Sequence, residues 1–124
     1  MVKLVYIVRR RSDMTPEAFR KRWKAVHGPL VRSLAKAIRA KKYIQSHTLD
    51  TPLNAQFVAS RSMSEPFDGI TEVWWDSLDD LVAASSTPEG AEAMQKLLED
   101  ERDFVDFGKS TIFMTEEHPI FDFK

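Results

Sequence analysis

Few side chains in this sequence can move a proton at neutral pH. Three are histidines, His27, His47 and His118. Imidazole ordinarily titrates near pH 6.5, so modest changes of surroundings carry it across neutrality. His27 stands four residues after Trp23. That spacing sets it at the edge of a helical apolar stripe formed by Phe19, Trp23, Val26 and Leu30. It also precedes Gly28-Pro29, where a helix break is expected, because proline lacks an amide donor and disfavours helical backbone just before it. At such a helix C-terminus the dipole favours the imidazolium and burial favours the neutral ring, which makes His27 a candidate acid or base. The competing reading is a ring that caps a free carbonyl. His47 falls in a strand-like run and shares a face with Tyr43, Gln45 and Leu49, since strand side chains alternate. It reads either as a proton carrier on the floor of a pocket roofed by the first helix, or as a half-buried structural histidine. His118, between Glu117 and Pro119, reads as surface.

Glu101 is the carboxylate with most to explain. Met94, Leu97, Leu98, Phe104 and Val105 mark an apolar helical stripe, and Glu101 falls within it. A carboxylate there must be paired or protonated. It is therefore a candidate general acid, a partner for a histidine, or half of an ion pair with Arg9 or Arg10. Asp100 lies at the edge of the same stripe. Tyr6, Trp23, Trp74, Trp75 and Phe104 could line a flat pocket or simply fill a core. Of these, Tyr6, Trp23, Trp74 and Phe104, with Asp100, are the expected ligand contacts. Trp74 and Trp75 are adjacent in a strand and must point to opposite faces.

These groups need elements to position them. Val2 to Arg9 is short, β-branched and aromatic, and reads as the first strand. Thr15-Pro16-Glu17 has the residue types of a helix start. A second helical piece is expected from Pro29 to Ala40. Lys42 to Leu49 reads as the second strand. Asp50 to Asp68 is a long connection holding a short helix over Asn54 to Met63, and it is expected near the mouth of the pocket. Gly69 to Asp76 reads as the third strand. Ser77-Leu78-Asp79-Asp80 opens a helix, and Thr87-Pro88-Glu89 opens another that should reach about Phe107. Lys109 to Glu116 reads as the last strand. The order is β-α-β-β-α-β with insertions, an α+β arrangement with helices on one face of an antiparallel sheet. Apolar residues on the other face call for a cover, and a second copy of the chain is the simplest one.

Composition narrows the function. The 124 residues suit one domain spanning 1–124, with 43% hydrophobic and 30% charged residues. There are no cysteines. Thiolate metal sites and cysteine nucleophiles are therefore excluded. The net charge of -1 gives no field that would favour nucleic acid or an anionic membrane. The cluster Arg9-Arg10-Arg11 reads as a solvated strand end. No apolar run approaches the roughly 18 to 20 residues that span a bilayer. No secretory signal is apparent, so the cytoplasm is the expected setting. There is no glycine-rich phosphate loop and no local metal-ligand spacing, so no metal and no cofactor is expected.

The residues also carry a family signature. Tyr6 to Arg10, Met14-Thr15-Pro16-Glu17-Ala18-Phe19, Trp23 and His27-Gly28-Pro29-Leu30 resemble the N-terminal half of an EthD domain. Tyr43-Ile44-Gln45-Ser46-His47 resembles its second strand. Phe67-Asp68-Gly69-Ile70, Glu72, Trp74 and Asp76 resemble the third. Asp100-Glu101, Phe104 and Asp106-Phe107 resemble the end of its long helix. The resemblance spans nearly the whole chain. It implies a ferredoxin-like fold that pairs into a dimeric α/β barrel, near muconolactone isomerases, cofactor-free quinone-forming monooxygenases and EthD-type dehydratases of aromatic polyketides. The expectation is a homodimeric, cofactor-independent enzyme acting on a small hydrophobic, aromatic or polyketide-like molecule by dehydration, isomerisation or oxygenation. His27 and His47 would move protons, and Glu101 would orient or protonate one of them. The alternative is a dimer that binds a ligand in the same pocket, or serves a structural role, without chemistry.

Overall fold

The computed structural model describes residues Met1–Lys124. The first strand, β1, runs over Val2–Val8. Helix α1, Pro16–Arg22, begins where the Thr15 hydroxyl accepts from the Ala18 amide and proline takes the first turn. A π-helical turn over Trp23–His27 joins it directly to α2, Gly28–Leu34. Strand β2 is Lys42–His47, helix α3 is Pro52–Arg61 and strand β3 is Gly69–Trp75. Helices α4, Leu78–Ser85, and α5, Pro88–Glu101, start on the hydroxyls of Ser77 and Thr87. Strand β4 is Thr111–Thr115.

The expected break at Gly28-Pro29 does not occur. Gly28 keeps helical dihedrals, φ -53° and ψ -54°, and donates its amide to the Trp23 carbonyl five residues back. The wider π turn makes room for the proline ring, which in a regular helix collides with the carbonyl four residues earlier. A glycine before proline also lacks the Cβ that would resist this backbone. Two further boundaries differ. The second helical piece ends at Leu34 rather than Ala40. Helix α5 ends at Glu101 rather than near Phe107, because the following segment leaves the helix to bond β1. Arg10 bridges Val105, the Arg11 amide donates to the Phe104 carbonyl at 3.0 Å, and the Asp106 amide donates to the Arg9 carbonyl at 2.9 Å.

The four strands form one antiparallel sheet in the order β2-β3-β1-β4. Register places Tyr6 opposite Thr71 and Ile112, and Tyr43 opposite Val73. Alternation therefore puts Leu4, Tyr6, Val8, Tyr43, Thr71, Val73, Trp75 and Ile112 on one face, beneath the helices. Two clusters fill that side. Val8, Phe19, Trp23, Phe104 and Val105 form one, and Ile38, Val73, Trp75 and Ala93 the other. The opposite face carries Ile44, Ile70 and Phe113, each more than one-third exposed. Beside it Leu53, Phe57 and Phe67 of the long connection flank Ile7 and Ile70.

Candidate active site

Between the two clusters lies a cavity of about 160 Å³. Fifteen of its eighteen lining residues are hydrophobic, and its only titratable side chains are Tyr6, His27, Tyr43 and Glu101. The sheet supplies the floor, the π turn supplies Trp23 and His27, and the last turn of α5 supplies Glu101. Phe104 reaches the cavity because the chain leaves α5 three residues earlier and turns inward.

His27 is 5% exposed, so its partners decide its charge. Its Nδ1 lies 2.7 Å from Asp100 Oδ2. A carboxylate only accepts, so Nδ1 carries the proton and Nε2 of the neutral ring keeps a free lone pair. Burial pushes the imidazole pKa down, and the Asp100 carboxylate only partly restores it. Asp100 in turn receives a two-pronged bond from Arg22, at 2.6 Å and 3.2 Å. Burial would raise this carboxyl, but Arg22 and then His27 hold it below the usual range. Arg22, Asp100 and His27 thus form one chain of charge-assisted bonds ending at the cavity wall.

Glu101 has no such cation. Burial raises its pKa to about 7, opposed by the Tyr6 hydroxyl and reinforced by the Asp100 charge. Tyr6 faces it without the geometry of a full hydrogen bond, and burial followed by the Glu101 charge raises its phenol well above the ordinary value. A carboxyl that is half protonated near neutrality thus shares the cavity with a neutral imidazole. That pairing separates an acid from a base by environment rather than by residue type.

The structure brings together Tyr6, Trp23, His27, Glu101 and Phe104, with Asp100 behind His27. It does not bring His47 in. The His47 ring stacks on the outer side of Trp23, with centroids 4.5 Å apart and planes 14° apart, and its Nε2 lies 2.8 Å from Gln45 Oε1. The indole shares the cavity lining with His27, and His47 is absent from that lining. Trp74 also lies outside. Its ring is on the other sheet face between Lys3 and Lys42, with Nε1 donating to Glu117 at 2.8 Å. Trp75 lines the cavity instead and donates to the Ile38 carbonyl at 2.7 Å. The connection from Asp50 to Asp68, expected at the mouth, contributes no lining residue. It packs along the rim of the open sheet face, where the Arg9 guanidinium donates to the Pro66 carbonyl and covers Phe67. Tyr43 was readable as sharing the face of Gln45 and His47, but its place in the cavity depends on which sheet face the helices cover. His118 is exposed, bonded to Glu116.

Gly69 fixes the indole. A Cβ there would lie 2.5 Å from the Trp23 ring and 2.7 Å from the Ser46 carbonyl. Only a residue without a side chain lets Trp23 lie against β3 between the cavity and His47.

The layout of a four-stranded antiparallel sheet with helices on one side defines an α+β ferredoxin-like protein. A protein of the ethyl tert-butyl ether D (EthD) family from Bacillus halodurans C-125 has this fold. It superposes with a TM-score of 0.63 at 22% identity, over 95% of this chain and 99% of that one. So does a dimeric protein of unknown function and ferredoxin-like fold from Bacteroides fragilis, at TM-score 0.58 and 14% identity, over 94% and 95% of the two chains. A candidate antibiotic biosynthesis monooxygenase from Deinococcus radiodurans matches at TM-score 0.54 and 12% identity, over 100% and 99%. None of the curated proteins matches the chain significantly. The EthD domain model matches residues 11–108, and the chain belongs to that family.

Proposed function

We propose that this protein is an enzyme that moves a proton on a small hydrophobic molecule held in the cavity, by acid-base chemistry and without an added cofactor. One observation carries the reading: a single apolar cavity is lined both by His27, whose Nδ1 is held by Asp100, and by Glu101, whose pKa burial raises to about 7. His27 takes a proton from an activated carbon or hydroxyl through Nε2. Asp100 and Arg22 hold the ring and stabilise the imidazolium that forms. Glu101, while protonated, gives a proton to the departing or rearranging group. Returning the proton to another carbon of the substrate gives isomerisation, and protonating a leaving hydroxyl gives dehydration. Oxygenation through the same base would require dioxygen as co-substrate. No group of three or more histidine and carboxylate side chains stands at metal-binding spacing. His47 supports Trp23 in this scheme rather than meeting substrate.

The match to the EthD model and the likeness to a candidate antibiotic biosynthesis monooxygenase are in keeping with small-molecule chemistry. Ligand binding without turnover is the second reading, favoured by the largely apolar lining. We further propose a homodimer closed through the open sheet face. Ile44, Ile70 and Phe113 need a cover there, and the similar Bacteroides fragilis protein is described as dimeric. A monomer by analytical ultracentrifugation at micromolar concentration would remove that part.

The test of function is native mass spectrometry of the purified protein for retained small molecules, followed by conversion assays on each. Turnover by the wild type and its loss in His27→Ala is the expected result. A retained molecule that is never converted favours the binding reading.

A further inference from the structure

The π turn has a consequence two elements away. The Trp23 carbonyl accepts from the Gly28 amide and has a second lone pair, which the Gln45 Nε2 fills at 2.9 Å. A carbonyl can only accept, so this contact fixes which end of the Gln45 amide is nitrogen. The same Nε2 lies 2.9 Å from the Tyr43 hydroxyl oxygen, and Oε1 faces His47. Gln45 therefore donates to Tyr43, and the Tyr43 oxygen acts there as an acceptor. Trp23 and Thr71 border the same oxygen, and neither accepts from it in the structure. No protein acceptor meets the hydroxyl proton in full hydrogen-bond geometry, although the Thr71 hydroxyl borders the oxygen, and Tyr43 lines the cavity. A phenol in this state offers its hydrogen to whatever occupies the space.

We infer that Tyr43 is a hydrogen-bond donor aimed into the cavity, and that the ligand is a neutral molecule of about one ring whose carbonyl or similar acceptor oxygen meets it. The cavity supports both parts of the ligand description. A volume of about 160 Å³ matches the space, on the order of 150 Å³, that accepts a benzene-sized ring in a protein core. No lysine or arginine lines it, so a carboxylate or phosphate would lose its water without gaining a cation. A carbonyl bound to Tyr43 would also be polarised, which acidifies the neighbouring C–H and suits removal of a proton by His27. The inference rests on the reading of this cavity as the ligand site, but not on turnover.

Acetophenone and ethylbenzene have nearly the same shape and differ by one acceptor oxygen. The experiment is titration calorimetry of both with the whole protein, together with the infrared carbonyl stretch of bound acetophenone. The wild type should bind acetophenone about five- to tenfold more tightly, the span of one neutral hydrogen bond. Its carbonyl band should move to lower frequency. Tyr43→Phe should still bind ethylbenzene, and should lose both the preference and the band shift. Gln45→Glu keeps Tyr43 but puts an acceptor where the donor was, so it captures the hydroxyl proton and should lose the preference too. Equal binding of the two ligands by the wild type, or an unchanged preference in Tyr43→Phe, overturns the inference and leaves the cavity reading standing. Failure of both ligands to enter overturns the two together.

Discussion

Behind His27 and beside Tyr6 stand two carboxylates that are adjacent in the chain and opposite in behaviour. Both leave water, and in both cases burial is the largest influence and favours the protonated form. Asp100 overcomes it with the Arg22 guanidinium at 2.6 Å and the His27 ring at 2.7 Å. Glu101 meets only the Tyr6 hydroxyl, with the Asp100 charge working against it, and its pKa rises to about 7. One turn of helix thus delivers a permanent anion to orient a base and a titratable acid to face the substrate. Glu101 also lies deeper than Asp100, so partners and depth together decide which carboxyl stays charged.

The sharpest way to break this contrast is His27→Ala. It removes the base but leaves Asp100 paired to Arg22, so turnover should fall by about 10²- to 10⁴-fold while the fold persists. Steady-state kinetics with a converted substrate, alongside circular dichroism, checks both statements. Asp100→Asn comes next. It weakens the Arg22 bond and lets the imidazole take the other tautomer, so turnover should drop by about 10²-fold and unfolding free energy by about 1–3 kcal/mol.

Glu101→Gln probes the other carboxyl through stability. A folded value of about 7 against an ordinary 4.5 means that the native state holds this proton more tightly between those pH values. Stability from this group is full below about 4.5 and lost as pH rises through 7. The variant should therefore be more stable than the wild type at pH 8, by about 1–3 kcal/mol, and equal to it near pH 4.5. Urea unfolding at the two pH values decides it. His27 runs the other way, since its lowered pKa costs stability as pH falls below about 6.5 and the unfolded chain takes up the proton. The smallest effect belongs to His47→Phe. It keeps a ring stacked on Trp23, so turnover should change by no more than about twofold, within the effect of one lost neutral hydrogen bond. A loss as large as that of His27→Ala would bring His47 back into the chemistry.

Much of this was legible in the residues. The apolar step from Phe19 to Trp23 placed His27 on a buried helix edge, although Val26, expected on the same stripe, is 50% exposed, and the stripe of α5 marked Glu101 as a carboxylate needing an explanation. The element order sufficed for an antiparallel sheet with helices on one face. Three features were not legible, each for its own reason. Gly28-Pro29 carries the signals of a break, because those rules assume a regular helix and a π turn relaxes the proline collision. Alternation separates Trp74 from Trp75 but cannot say which one the helices cover. The partnership of His27 with Asp100 joins residues 73 positions apart. Nothing local could favour it over a pairing of Glu101 with a histidine.

A neutral base and a protonatable acid share one apolar cavity. The most direct measurement is a side-chain NMR titration of His27 and Glu101 in the intact protein. The expected result is a neutral His27 at pH 7, protonated at Nδ1 and bare at Nε2, and a Glu101 carboxyl with a midpoint near 7. A Glu101 midpoint near the ordinary 4.5, or a His27 that is imidazolium or protonated at Nε2 at pH 7, would contradict it.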